Sequence, residues 1–140
     1  MSGYAGDLTL SQAWDLLAAD ERAVLVDVRT EAEWRYVGVP DIAGLGRAAA
    51  LVEWVGYPSG AVNPRFLQQL AEAGLAPGDG RPVVFLCRSG VRSIAAAKTA
   101  TAAGLGPAYN VLDGFEGGID DAGHRGATGW RAAGLPWRQS

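Results

Sequence analysis

The chain has one cysteine, Cys87, and one histidine, His124, among its 140 residues. A single thiol cannot close an internal disulfide, so the fold is expected to hold by packing alone, in a reducing intracellular setting. No cluster of cysteines and histidines is present to bind zinc, and no metal or organic cofactor is expected. Charge of one sign is also lacking. Twelve Lys and Arg against 15 Asp and Glu leave a net charge of −3, with no basic helix or Lys/Arg run to meet nucleic acid. No apolar stretch approaches the ~20 residues of a membrane helix. The opening MSGYAGDLTLSQAW has no basic segment followed by an apolar run, so it is not read as a signal peptide. These absences lead to the expectation of a soluble cytoplasmic protein with neither nucleic acid nor membrane as partner.

What is present is an ordinary globular balance, with 49% hydrophobic and 19% charged residues, in a length that suits one domain spanning 1–140. Twenty glycines are about double the usual ~7% share. They stand singly or in pairs between apolar runs, as tight turns would require.

Along the chain, Thr9 and Gln12 have the spacing of a capping box, and Ala13, Trp14, Leu16 and Leu17 continue at helical period to about Ala19. AVLVDV, from Ala23 to Val28, reads as a buried strand. Thr30 and Glu33 repeat the capping-box spacing and predict a short helix through Tyr36. Gly38 to Gly46 reads as a loop, and Ala50 to Val55 as a second strand. Asn63 followed by Pro64 predicts a helix start, with Phe66, Leu67 and Leu70 on one face and an end near Gly74. Pro82 to Cys87 is an unbroken apolar run, which implies cover on both faces. Ile94 to Ala103 is an alanine-rich helix stopped at Gly104, and Tyr109 to Leu112 a further strand. The tail is loop-like, with one helical turn near Trp130. This alternation predicts an α/β fold with a mainly parallel central sheet and helices on both faces.

Chemistry concentrates at CRSGVRS, Cys87 to Ser93. In an open α/β sheet, ligands bind beyond the carboxyl ends of the strands. Cys87 stands at such an end, at the turn into a helix beginning near Ser93. The unpartnered N–H groups and dipole of a helix start favour an anion, and a thiol placed there ionises more readily. Arg88 and Arg92 add positive charge. Gly90 lets the loop curl so that its N–H groups converge. The competing reading is an inert buried cysteine, as free cysteines often are, but a core residue has no need of a small basic loop after it.

This loop, after an apolar strand and before an alanine-rich helix, resembles the active-site loop of the rhodanese family. DVRTEAEW, Asp27 to Trp34, resembles the family's first signature. GVPDIAG stands where the family usually shows Gly-His-Ile-Pro-Gly-Ala. VLDGFEGG and GLPW, Gly134 to Trp137, resemble its later segments. The likeness covers about 7–137. The sequence departs from the pattern at Val39, in place of the usual histidine, and at Asp41 with the longer segment that follows. Both departures bear on the pocket wall more than on the fold.

The resemblance implies a thiosulfate sulfurtransferase-like enzyme with Cys87 as catalytic nucleophile. Arg88, Ser89, Gly90, Val91 and Arg92 would form the substrate-binding loop. The partners implied are a small anionic sulfur compound, such as thiosulfate, and a thiol or cyanide acceptor, with a persulfide on Cys87 between them. From Cys87 to Arg92 the spacing is C-x4-R, one residue shorter than the C-x5-R loop of cysteine-dependent phosphatases and similar to a ring that closes around one sulfur. Two other readings stay open: a non-catalytic interaction module, and a phosphatase or arsenate reductase. Arg92 has the alternative of a salt bridge to an acidic residue such as Asp113. Asp27, Arg29 and Glu33 read as structural, with Arg29 and Glu33 four apart and placed to pair. A low-pKa thiolate needs no base, so His124 is given no catalytic role. The tryptophans read as packing, with Trp130 the candidate for a pocket wall.

Overall fold

The computed structural model describes residues 3–56, 60–88, 90, 92–118, 121–124 and 128–138. Its centre is the apolar strand β5, Val83–Leu86, in which all four residues are buried. Alternation along β5 divides the interior. Val83 and Phe85 join one core cluster with Phe66, Leu70, Ala96, Ala97 and Ala100. Val84 and Leu86 join another with Ala13, Leu17, Phe115 and Trp130. Each valine, leucine or phenylalanine side chain among these contributes roughly 1.5–3 kcal/mol on removal from water, before the entropy of ordering it is counted.

Parallel pairing places β6 (Ala108–Val111) and β2 (Val24–Asp27) on either side of β5. β1 (Gly6–Leu8) and β4 (Ala50–Leu51) form the edges, giving the order β1-β6-β5-β2-β4. The fold is a parallel sheet with helices on both faces. The helix α1 (Leu10–Ala19) covers one face, and α3 (Phe66–Glu72) and α4 (Arg92–Ala102) the other. In α4 the inward positions Ala96, Ala97 and Ala100 are small and wholly buried, so the helix lies close to the sheet. The short helix α2 (Glu31–Tyr36) follows β2. A second, two-stranded sheet pairs β3 (Val39–Pro40) with β7 (Trp137–Arg138) antiparallel.

Both capping boxes form as the sequence predicts. Thr9 accepts from the Gln12 N–H and Thr30 from the Glu33 N–H, and each partner side chain returns a bond to the cap backbone. The other end of α1 is closed from afar. Arg47 donates to the Leu17 carbonyl, an acceptor that the helix end leaves free, and to the carbonyls of Asp20, Glu21 and Ala23 just beyond it.

Three expectations need correction. Asn63 does not cap α3. Its Oδ1 accepts from the Arg65 N–H at 3.0 Å, and its amide donates to the Glu53 carbonyl and to Gln69 Oε1. It therefore builds a turn, and the helix begins at Phe66. The strand expected over Ala50 to Val55 is only two residues long, because Val55 turns away to bridge Val62 antiparallel. The loop expected from Gly38 to Gly46 contains β3 and a 3-10 turn, Ala43–Leu45. No helix among the described residues is long and apolar enough to cross a membrane.

Candidate functional site

Cys87 directly follows the carboxyl end of β5, and α4 begins five residues later. The residue is 1% exposed. Among the described residues, two groups reach its sulfur. The Gly90 N–H donates to Sγ at 3.1 Å, and Ser93 Oγ, in the first turn of α4, lies 3.2 Å away. Gly90 has φ +94, and a Cβ there would press on the Val111 carbonyl at 3.2 Å, so this turn needs glycine. Ser89 and Val91, also expected to bind substrate, lie outside the described residues.

The loop is held from behind by the segment after β6. The N–H of Phe115 donates to the Cys87 carbonyl at 2.8 Å, and the N–H groups of Glu116 and Gly117 donate to the Arg88 carbonyl. Gly114, at φ +61, permits this approach, since a Cβ there would collide with the Cys87 carbonyl and lie 2.6 Å from the Arg88 carbonyl carbon. The cysteine loop and the DGFEGG segment thus dock backbone to backbone.

The two arginines of the loop differ. Arg88 is exposed and forms no ion pair with a described residue. Arg92 is half-buried and spends both arms on Glu33, Nη1 to Oε1 at 2.9 Å and Nη2 to Oε2 at 3.0 Å. Burial opposes charge on Arg92, but Glu33's hydrogen bond and charge, with the charges of Cys87 and Asp27, outweigh it and hold its pKa above the ordinary value. Burial likewise opposes charge on Glu33. The Arg92 hydrogen bond, the Thr30 N–H and the charges of Arg92 and Arg29 prevail and hold that carboxyl below its usual range. Glu33 therefore pairs with Arg92 and not with Arg29. Arg29 turns to Asp27 instead, with Nε and Nη2 on the carboxylate at 2.7–3.1 Å and both side chains fully buried. Its guanidinium lies 4.1 Å from the Phe115 ring centre, and Nη2 also donates to the Gly38 carbonyl.

A cleft of about 440 Å3 opens beside the loop, lined by Glu33, Val37, Val55, Arg88 and Arg92 among others. His124 lies in an exposed stretch and is not among the cleft's lining residues. Val39, standing where the resemblance leads one to expect histidine, is buried in β3 and is not among the cleft's lining residues. Trp130 is core, not pocket wall. It is wholly buried, packs edge-on against Trp14 at 6.0 Å and donates to the Pro136 carbonyl.

Sequence reading did not single out Ser93, Asn110 or Asp7 as site residues. The Ser93 hydroxyl donates to Asn110 Oδ1, and Asn110 Nδ2 donates to Asp7 Oδ1 at 2.9 Å. Asn110 and Asp7 face each other in the register of β6 and β1, a pairing that only the folded sheet reveals. A buried asparagine within an apolar strand was the one available signal.

The comparisons with known proteins agree with this fold. A family model described as the STR4 middle domain matches residues 6–140. The chain is 61% identical to Rv0390 of M. tuberculosis, whose crystal structure superposes with a TM-score of 0.89 over 98% of this chain and 99% of that one. It is 26% identical to the polysulfide-sulfur transferase homodimer of Wolinella succinogenes, with a TM-score of 0.63 over 98% of this chain and 80% of that one. It is also 30% identical over 125 residues to the chloroplastic rhodanese-like domain-containing protein 4 of Arabidopsis thaliana, covering 89% of this chain and 24% of that protein. The chain belongs to the rhodanese-like family.

Proposed function

We propose that this protein is a sulfurtransferase that carries a sulfane sulfur on Cys87. The observation that carries the reading is the setting of Sγ, at the end of the central strand with an N–H and a hydroxyl upon it. In the reaction, the Cys87 thiolate attacks the outer sulfur of thiosulfate. The S–S bond of thiosulfate breaks, and sulfite leaves with its electron pair. The persulfide anion left on Cys87 then gives its outer sulfur to cyanide, yielding thiocyanate, or to a thiolate, yielding a new persulfide. Either route restores the Cys87 thiolate. This is covalent catalysis in ping-pong order. Arg88, exposed and not paired to a described residue, is the cation suited to steer a doubly charged anion to the cleft. The sulfur-transferring neighbour from Wolinella supports the same chemistry.

A phosphatase reading is disfavoured by the C-x4-R loop and by Arg92, whose two arms are already occupied by Glu33. The test is incubation with thiosulfate followed by intact mass. We expect a gain of one sulfur, lost on adding cyanide and absent in Cys87→Ser. An unmodified wild type would count against the enzyme and favour an interaction module. Turnover of an aryl phosphate that disappears in Cys87→Ser would favour the phosphatase.

A further inference from the structure

The cleft beside the cysteine loop continues outwards. A second cleft, of about 300 Å3, adjoins it, and Ala32 and Gly56 line both. Together they make a groove with α2 along one side and the segment around Val55, which bridges Val62, along the other. No residue of α2 is buried, and Tyr36, which lines the outer cleft, is 73% exposed. Clefts of about 300–1,000 Å3 enclose drug-sized ligands, so the groove has room for far more than thiosulfate or cyanide.

Charge reverses along this groove. Each cleft holds one ion pair of its own and one further charge that forms no ion pair with a described residue. In the inner cleft, Glu33 and Arg92 neutralise each other and leave Arg88. In the outer cleft, Arg35 meets Glu31 at 3.2 Å and leaves Glu53. The Glu53 carboxylate is met by the Glu31 N–H at 2.9 Å, a neutral donor that leaves its charge standing. Ala32, Val37, Val55 and Gly56 supply apolar lining.

We propose that this groove docks a polypeptide acceptor, whose cysteine enters beside Arg88 while a nearby lysine or arginine side chain meets Glu53. The inference rests on the reading of Cys87 as a sulfur carrier. Arg88 favours the incoming thiolate, which attacks the outer sulfur of the Cys87 persulfide. The S–S bond breaks, the Cys87 thiolate leaves with the electron pair, and the acceptor keeps the persulfide. A free aminothiol carries its sulfur and its cation only a few bonds apart, and an anionic thiol offers Glu53 nothing. A polypeptide separates the two by backbone that can lie along the groove. Glu53 is then the residue that selects among acceptors, at a distance from the sulfur.

Capped synthetic peptides of one length test this, with lysine or glutamate placed two, three or four residues from a central cysteine. In a first arm the cysteine is replaced by serine, and binding to the unloaded protein is read by fluorescence anisotropy at low salt. At one spacing or more, we expect the lysine peptide to bind about threefold to tenfold more tightly than its glutamate counterpart, the worth of one exposed pair gained and one like-charge contact avoided. Glu53→Gln, whose amide oxygen can still accept the Glu31 N–H, should abolish the preference, and Glu53→Lys should reverse it. No preference at any spacing would overturn the proposal. So would a preference that survives Glu53→Gln, which would belong to the net charge of −3.

In a second arm, wild type loaded from thiosulfate meets the cysteine peptides, and the sulfur lost from Cys87 is followed by intact mass. Transfer should rank the peptides as binding does. Equal rates, or acetylcysteine amide accepting as fast as the best peptide, would assign the site to small thiols and overturn the proposal. The two readings fail separately. A protein that takes no sulfur from thiosulfate yet binds with the expected pattern loses the transferase reading and keeps the docking groove. One that loads sulfur but shows no lysine preference does the opposite.

Discussion

Arg29 and Arg92 each grip a carboxylate with two arms, and the resemblance ends there. Arg29 meets Asp27 two residues away, with neither side chain exposed to water. Arg92 meets Glu33 across 59 residues, and the two side chains remain 24% and 17% exposed at the rim of the cleft. The first pair is local and sealed. It also binds the Gly38 carbonyl and stacks on Phe115, so it fastens the end of β2 to the start of β3 and to the Phe115 segment that backs the cysteine loop. The second pair ties α2 to the start of α4 and decides how much positive charge the cleft presents. Hydrogen-bond geometry alone does not separate the two roles; burial and neighbours do.

The largest effect is expected from breaking the sealed pair. Asp27→Asn leaves a buried guanidinium without its counter-charge, which costs about 3–5 kcal/mol. Urea unfolding should register most of it. A loss under about 1 kcal/mol would mean that the Phe115 face and the Gly38 carbonyl suffice to hold the cation, and the contrast with Arg92 would weaken.

The corresponding change at the rim, Glu33→Gln, should act differently. Glutamine can still serve the capping box with Thr30, so the stability loss should be smaller, about 1–2 kcal/mol. Its clearer sign is functional. Arg92 is freed, and KM for thiosulfate should fall, with Asp27→Asn producing no such fall. A KM that is unchanged or higher would show that Arg92 serves the site only as a tether.

The different reach of the two pairs also explains what the sequence made legible. The capping boxes at Thr9 and Thr30 are spelled within four residues and formed as read. β5 was legible because a strand covered on both faces must be apolar throughout. The cysteine loop was legible from the small and basic residue types that follow an apolar strand, although Cys87 and Ser93 themselves are buried. β1 was not, since Gly6, Asp7 and Leu8 contain one apolar side chain and become a strand only by pairing with β6. The Arg29–Glu33 pairing suggested by spacing failed because Glu33 caps its helix and looks outwards to Arg92, while Arg29 turns back to Asp27. Asn63 carried a helix-start signal that a competing turn consumed. The line from Asp7 to Ser93 crosses three elements distant in the chain, so no local pattern announces it.

The smallest effect separates the rim pair from the sealed one by pH. Folding holds the Glu33 carboxyl below its ordinary value of about 4.5, because the bonds and charge of Arg92 outweigh the cost of burial. A group whose pKa is depressed by folding contributes stability that is complete above its unfolded value and lost as pH falls through the folded one. Wild type should therefore exceed Glu33→Gln in stability at neutral pH, and the gap should narrow as pH falls below about 4.5, where Glu33 takes up a proton. Urea midpoints of the two proteins between neutral and acidic pH measure this directly. A gap that stays constant on acidification would mean that the carboxylate's charge contributes nothing to the pair, leaving its hydrogen bonds, which glutamine partly reproduces, as the whole of the link between α2 and the loop.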